Sequence, residues 1–187
     1  DNLRRSLLPI SSLIYLACIW FCLSGNALLW TGLVFLPNLV SIIFTITGEI
    51  FKPKKRQQGS NESRPIRQSI LRNLFEIIFL PHKALISADA IVKTLYRMSI
   101  SKKNLLQWVS AAQSDRFFGK KSATALVLRQ LAPSLALSLA AGTALALLSP
   151  NAFLVALPLF LLWLASPLII IGICQPDRQK KLQLKEE

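Results

Sequence analysis

Four apolar runs, set in two close pairs around a long basic stretch, decide what this chain can become. Ser6–Leu23 and Ala27–Phe51 are separated only by Ser24-Gly25-Asn26, and Leu131–Leu148 and Phe153–Cys174 only by Ser149-Pro150-Asn151. Each run is nearly free of charge and long enough to cross a bilayer as a helix. Turns this short force antiparallel neighbours. The expected fold is therefore an all-α integral membrane protein, with four transmembrane helices as two hairpins and an amphipathic helical loop between them. Composition agrees: 52% of the 187 residues are hydrophobic, yet the formal net charge is +13. Water-soluble domains rarely combine the two, whereas spans with basic loops do so naturally. Nucleic-acid binding, the other common reading of such charge, is set aside because the Lys and Arg gather at the ends of the apolar runs.

The charges also give an orientation. Residues 52–121 hold fifteen Lys and Arg against Glu62, Glu76, Asp89 and Asp115, while the two hairpin turns carry no charge. Arg4 and Arg5 stand before the first run, and Lys52-Pro53-Lys54-Lys55-Arg56 follows the second. The positive-inside rule places the loop and both termini in the cytoplasm. The chain divides into a first hairpin over 1–51, a basic loop over 52–121, a second hairpin over 122–174 and a polar tether over 175–187.

Gln57–Ser63 is polar and turn-prone, a linker. The rest of the loop reads as three amphipathic pieces, Arg64–Leu80, Lys83–Ile100 and Ser101–Gln113, with Pro81 and the Ile100–Ser101 junction between them. Ile66, Ile70, Leu71, Leu74, Phe75 and Ile78 recur at helical spacing in the first piece. Ala84, Leu85, Ala88, Ile91, Val92 and Leu95 form the apolar face of the second, with Asp89, Lys93 and Arg97 four apart on another face. Ser101 is placed as the N-cap of the third, which carries Leu105, Leu106, Trp108 and Val109. Basic and aromatic residues on such helices favour a position in the lipid headgroup layer. The competing arrangement is helices packed on one another in a small cytosolic subdomain.

Prolines at 37, 158 and 167 mark expected kinks. Ser134, Ser138, Gly142 and Ala146 recur every fourth residue, a small-residue face for close helix approach. Cys18 and Cys22 share a helix face with no His, Asp or Glu beside them, so they read as packed or lipid-facing thiols, and Cys174 likewise. The motif search finds no phosphate loop, HExxH, CxxC or Ser/His/Asp set. We therefore expect no catalytic, cofactor-binding or metal-binding residue and no cofactor in this chain. Glu76 and Asp89 are expected to pair with nearby Lys or Arg. Glu49 is expected at the interface beside Lys52, and Arg129 to snorkel to the headgroups. Because the chain opens on Asp1 and its sole methionine is Met98, a piece of something longer is expected.

Several stretches resemble the cyclic β-1,2-glucan synthases. Asp1-Asn2-Leu3-Arg4-Arg5-Ser6-Leu7, entering a span, is similar to the junction after that family's glycosyltransferase domain. Phe79-Leu80-Pro81-His82-Lys83-Ala84, Asp89-Ala90-Ile91 and Thr94-Leu95-Tyr96-Arg97 strengthen the likeness. Leu105-Leu106-Gln107-Trp108-Val109-Ser110-Ala111-Ala112-Gln113 resembles the family's Leu-Leu-Glu-Trp-Thr/Val-Thr-Ala-Ala pattern, departing at Gln107 and Ser110. The resemblance covers nearly the whole chain and is best marked between Phe79 and Gln113.

It implies a multidomain inner-membrane enzyme of Gram-negative bacteria that builds β-1,2-glucan from UDP-glucose. The transferase domain would precede Asp1 and further carbohydrate-active domains would follow Glu187. The expected partners are thus the lipid bilayer and those domains of the parent polypeptide, with no nucleic acid. Tyr96, Arg97, Trp108, Phe117 and Phe118 are the candidates for glucan contact, with interface anchoring as their plainer role. Two other functions compete: a small membrane module docking a cytosolic partner or anionic lipid, and a transporter or channel subunit. Scarce ionisable residues within the spans speak against ion-coupled transport.

Overall fold

The computed structural model describes residues 2–23, 25–51, 63–102 and 123–173. Helices α1 (Asn2–Cys22) and α2 (Ala27–Ile50) form the first hairpin, and α5 (Ala123–Leu148) and α6 (Pro150–Ile173) the second. Between them lie α3 (Ser63–Ile78) and α4 (Leu80–Tyr96), the latter ending in a π-helical turn, Arg97–Ser101. Among the described residues there is no strand. The four outer helices contain apolar stretches of 20, 22, 25 and 24 residues. At ~1.5 Å per residue each covers a hydrocarbon layer of about 30 Å. The fold class expected from the sequence is the one observed.

The hairpin turns differ in their chemistry. At the first, the Asn26 side-chain oxygen accepts the Leu29 N–H at 3.4 Å, capping α2. At the second, the expected Ser149-Pro150-Asn151 turn shrinks to Ser149 alone. Ser149 N–H bonds the Leu145 carbonyl at 2.8 Å, and Phe153 N–H bonds the Ser149 carbonyl at 3.0 Å. Pro150 has no N–H to lose and a φ already suited to a first helical residue, so α6 starts there rather than at Phe153. The third span likewise begins at Ala123, not Leu131, carrying exposed Arg129 and Gln130 within the helix.

The loop helices are not a separate subdomain. Helix α3 packs on α2 and α6, and α4 packs on α1 and α5. The break between them falls at Phe79, two residues before the proline expected to cause it. Pro81 sits instead in the first turn of α4, where a missing N–H is tolerated. Ser101 does not cap a third helix. It closes the π-helical turn, and Lys102 follows in the left-handed region at φ 48, its N–H bonded to the Arg97 carbonyl at 2.8 Å. A left-handed residue ends a helix. The rest of the third expected piece, 103–113, lies outside the described residues.

The core is aromatic and extends from the middle of the spans toward the hairpin turns. Leu16, Ile19 and Trp20 of α1 meet Leu80 of α4, Leu145 of α5, and Ala156, Leu159, Phe160 and Trp163 of α6. Trp20, Phe160 and Trp163 pack with ring centroids 5.3 to 6.1 Å apart, the Phe160–Trp163 pair edge to face. Of the small-residue face on α5, Ser134, Ser138 and Gly142 are buried, and Phe160 lies 3.7 Å from where a Gly142 side chain would begin. Ala146, the fourth member, is exposed.

Candidate functional site

The feature with most chemistry is the joint between α3 and α4. A continuous helix would send the Pro81 N–H to the Ile77 carbonyl, but proline has none. The indole N–H of Trp163 fills that place, donating to the Ile77 carbonyl at 3.0 Å. Trp163 stands thirteen residues past Pro150 in the 24-residue α6, so the end of α3 is held against the middle of a span. Pro167 in turn frees the Trp163 carbonyl, and Ser166 Oγ donates to it at 2.7 Å. Two proline-orphaned carbonyls are thus satisfied in sequence around one tryptophan. This matters because an unpaired polar group away from water costs several kcal/mol, roughly 2–7 by reference state. Trp20, packed on Trp163, donates its own indole N–H to Thr31 Oγ1 at 3.1 Å.

Behind the joint runs a polar seam between α2 and α3. The Thr45 and Ser69 hydroxyls lie 3.1 Å apart, and Thr45 also donates to the Ser41 carbonyl at 2.9 Å. Asn73 Nδ2 donates to the Ser69 carbonyl at 2.8 Å. Ser69 and Asn73 are buried, while Ile70, Leu71 and Leu74, which recur at helical spacing, are 38, 40 and 49% exposed. The apolar face of α3 is therefore only partly packed, with Ile66, Phe75 and Ile78 half-buried. In α4, Ala84 is buried as expected, but Val92 and Leu95 are 64 and 57% exposed. Apolar side chains facing outward suit lipid surroundings, and polar ones turn inward to find partners.

Ionisable residues bracket the joint. Glu76 and Lys83 face each other across it at 4.0 Å, and His82, half-buried, lies between them in sequence. Further along α4, Lys93 donates to Asp89 at 2.6 Å. Both acids pair with lysine as the sequence suggested. Both pairs are well exposed, so they orient more than they stabilise. Among the described residues no group of His, Cys, Asp and Glu could hold a metal ion.

Of the candidate contact residues, Tyr96 is the last of α4 and 55% exposed, and Arg97, half-buried, opens the π-helical turn. Trp108, Phe117 and Phe118 lie outside the described residues. The structure places Tyr96 and Arg97 side by side at the end of α4, some 24 Å along the helix from Pro81 at ~1.5 Å per residue. Sequence reasoning missed the Ser69–Asn73 pair and the role of Trp163. The signals were two polar residues four apart on one helical face, and a tryptophan four residues before a proline.

These elements define a multi-pass, all-helical membrane protein with a broken helical segment packed among its four spans. No family model matches the chain. It is 30% identical, over 202 aligned residues, to the cyclic beta-(1,2)-glucan synthase NdvB of Rhizobium meliloti (strain 1021). That alignment takes in all of this chain but only 7% of the length of the synthase. The chain is therefore similar to a membrane segment of that protein.

Proposed function

We propose that this chain is the membrane-embedded portion of a cyclic β-1,2-glucan synthase, anchoring and positioning the transferase domain of the same polypeptide and lining part of the glucan path. The observation that carries this reading is that an alignment at 30% identity overall extends across the entire chain, loop included. Shared hydrophobicity alone would produce likeness in the spans and leave the loop unmatched. In this reading the polypeptide sits in a bacterial inner membrane with both termini and the loop in the cytoplasm. The glucosyl transfer itself belongs to domains elsewhere in the polypeptide.

This chain's contribution is one of position. The α3–α4 joint, seated on Trp163, brings Glu76, His82 and Lys83 toward the middle of the spans, where polar groups able to donate or accept hydrogen bonds suit a hydroxyl-rich chain. Tyr96, Trp108, Phe117 and Phe118 offer flat faces for sugar rings, and Arg97 offers a fork of donors. The test is incorporation of radiolabelled UDP-glucose by membranes carrying this chain alone, beside membranes carrying a longer polypeptide with the transferase domain restored upstream. Label in glucan from the longer polypeptide only is the expected result. Incorporation by the short chain alone would place an active site within it. No incorporation by either would favour the docking module.

A further inference from the structure

A groove opens sideways between α1 and α5, above the start of α4. Its volume is ≈ 200 Å³, and its walls are Leu13, Ala17 and Trp20 on one side, Leu137 and Ala141 on the other, with Trp163 behind. Pro81 of α4 also lines it. The rim faces outward, for Ile14, Phe21 and Leu137 are 57, 39 and 38% exposed. The two tryptophans at its back are almost wholly buried, at 4% exposure each.

What fills it follows from its chemistry. The one hydroxyl in the lining, Ser138 Oγ, is committed to the Ser134 carbonyl at 2.8 Å, and the indole N–H groups of Trp20 and Trp163 are committed to Thr31 and Ile77. Water needs two to four polar partners and finds none. A sugar would strip its hydroxyls of hydrogen bonds without replacing them. Another helix is about 10–12 Å across and does not fit. An apolar cavity of ~150 Å³ accepts a benzene ring, so this one accepts roughly six to eight carbons. Its opening lies along the apolar stretches Leu3–Cys22 and Thr124–Leu148, where acyl chains are the surrounding solvent.

We propose that this groove is a binding site for one acyl chain of a bilayer phospholipid, held against Trp20, Trp163 and Pro81. The chain fills the gap between two helices that touch each other little, and it presses on Pro81 in the first turn of α4. It therefore braces the α3–α4 joint at Pro81. The proposal stands on the groove's lining and does not depend on the synthase reading.

The two tryptophans supply the readout. In a Trp30→Phe, Trp108→Phe background, the emission comes from Trp20 and Trp163 alone. The full chain is reconstituted in phosphatidylcholine vesicles whose acyl chains carry bromine at mid-length, a quencher that acts at contact. Loss of most of the emission is expected, since a bound chain touches both rings. Ala141→Leu and, from the opposite wall, Ala17→Leu fill the groove and should each restore it. Ala140→Leu, adding the same bulk at an exposed position outside the lining, should leave the quenching intact. An unchanged emission wavelength and helical circular dichroism show that the variants fold. Unquenched emission in the starting protein, or equal quenching in both filled variants, overturns the proposal.

Discussion

Trp163 combines three roles, two in its side chain and one in its backbone carbonyl. Its rings close the aromatic core, its N–H replaces the hydrogen bond Pro81 cannot make, and its carbonyl is itself capped by Ser166. Trp163→Phe keeps most of the packing and removes the donor, leaving the part-buried Ile77 carbonyl without it. We expect a loss of about 1–3 kcal/mol, read as a lowered unfolding midpoint in a mild detergent. Trp20→Phe removes the bond to Thr31 instead, and there the hydroxyl has its own helix's carbonyls within reach. A smaller loss, about 0.5–1.5 kcal/mol, is expected in the same measurement. A larger effect at Trp20 than at Trp163 would show that ring packing, and not the carbonyl, sets the cost. A third residue-scale prediction tests the proposed synthase reading, in a polypeptide that carries this chain together with a transferase domain. Replacing Arg97 and Trp108 together by Ala should lower glucan output with membrane insertion intact, and unchanged output would remove these two from the path.

At the scale of elements, the seam between α2 and α3 is the interaction to measure. A double-mutant cycle with Thr45→Val and Ser69→Ala should give a coupling of about 0.6 kcal/mol, and not above ~1.7, the range found for hydrogen bonds between membrane helices. Zero coupling would mean that packing and the Trp163 bond, and not this hydroxyl pair, hold α3 in place. The spans were legible in the sequence because hydropathy over some twenty residues is a one-dimensional signal. Their ends shifted at Ala123 and Pro150 because helix geometry, not hydropathy, decides where the backbone stops. The faces of α3 were not legible, since the rule that apolar residues point inward assumes water outside. Ser69 and Asn73 point inward because their partners Thr45 and the Ser69 carbonyl are there. The break at Phe79 was misplaced by two residues, since proline disrupts the turn before itself and fits the turn it begins.

Taken along the sequence, the two hairpin turns are charge-free and the segments flanking the hairpins are basic, which is a statement about sides of a membrane. With Cys18, Cys22 and Cys174 replaced by Ser, a single cysteine at Asn26 or Asn151 should react with a membrane-impermeant maleimide added outside spheroplasts. One at Gln57 should react only after the membrane is opened. The reverse pattern would invert the orientation. The segment between the hairpins also has a history. Helix α3 carries Arg67, Gln68, Arg72, Asn73 and Glu76, too polar a set to leave water for lipid by itself. Its seat is made by α2, synthesised before it, and by α6, synthesised nearly a hundred residues later. During synthesis, then, α3 and α4 must wait at the surface until Trp163 has emerged and the second hairpin is in place. A ribosome paused before Ala123 would hold a nascent chain whose loop is still open to protease, and its protection would date the moment the bundle closes.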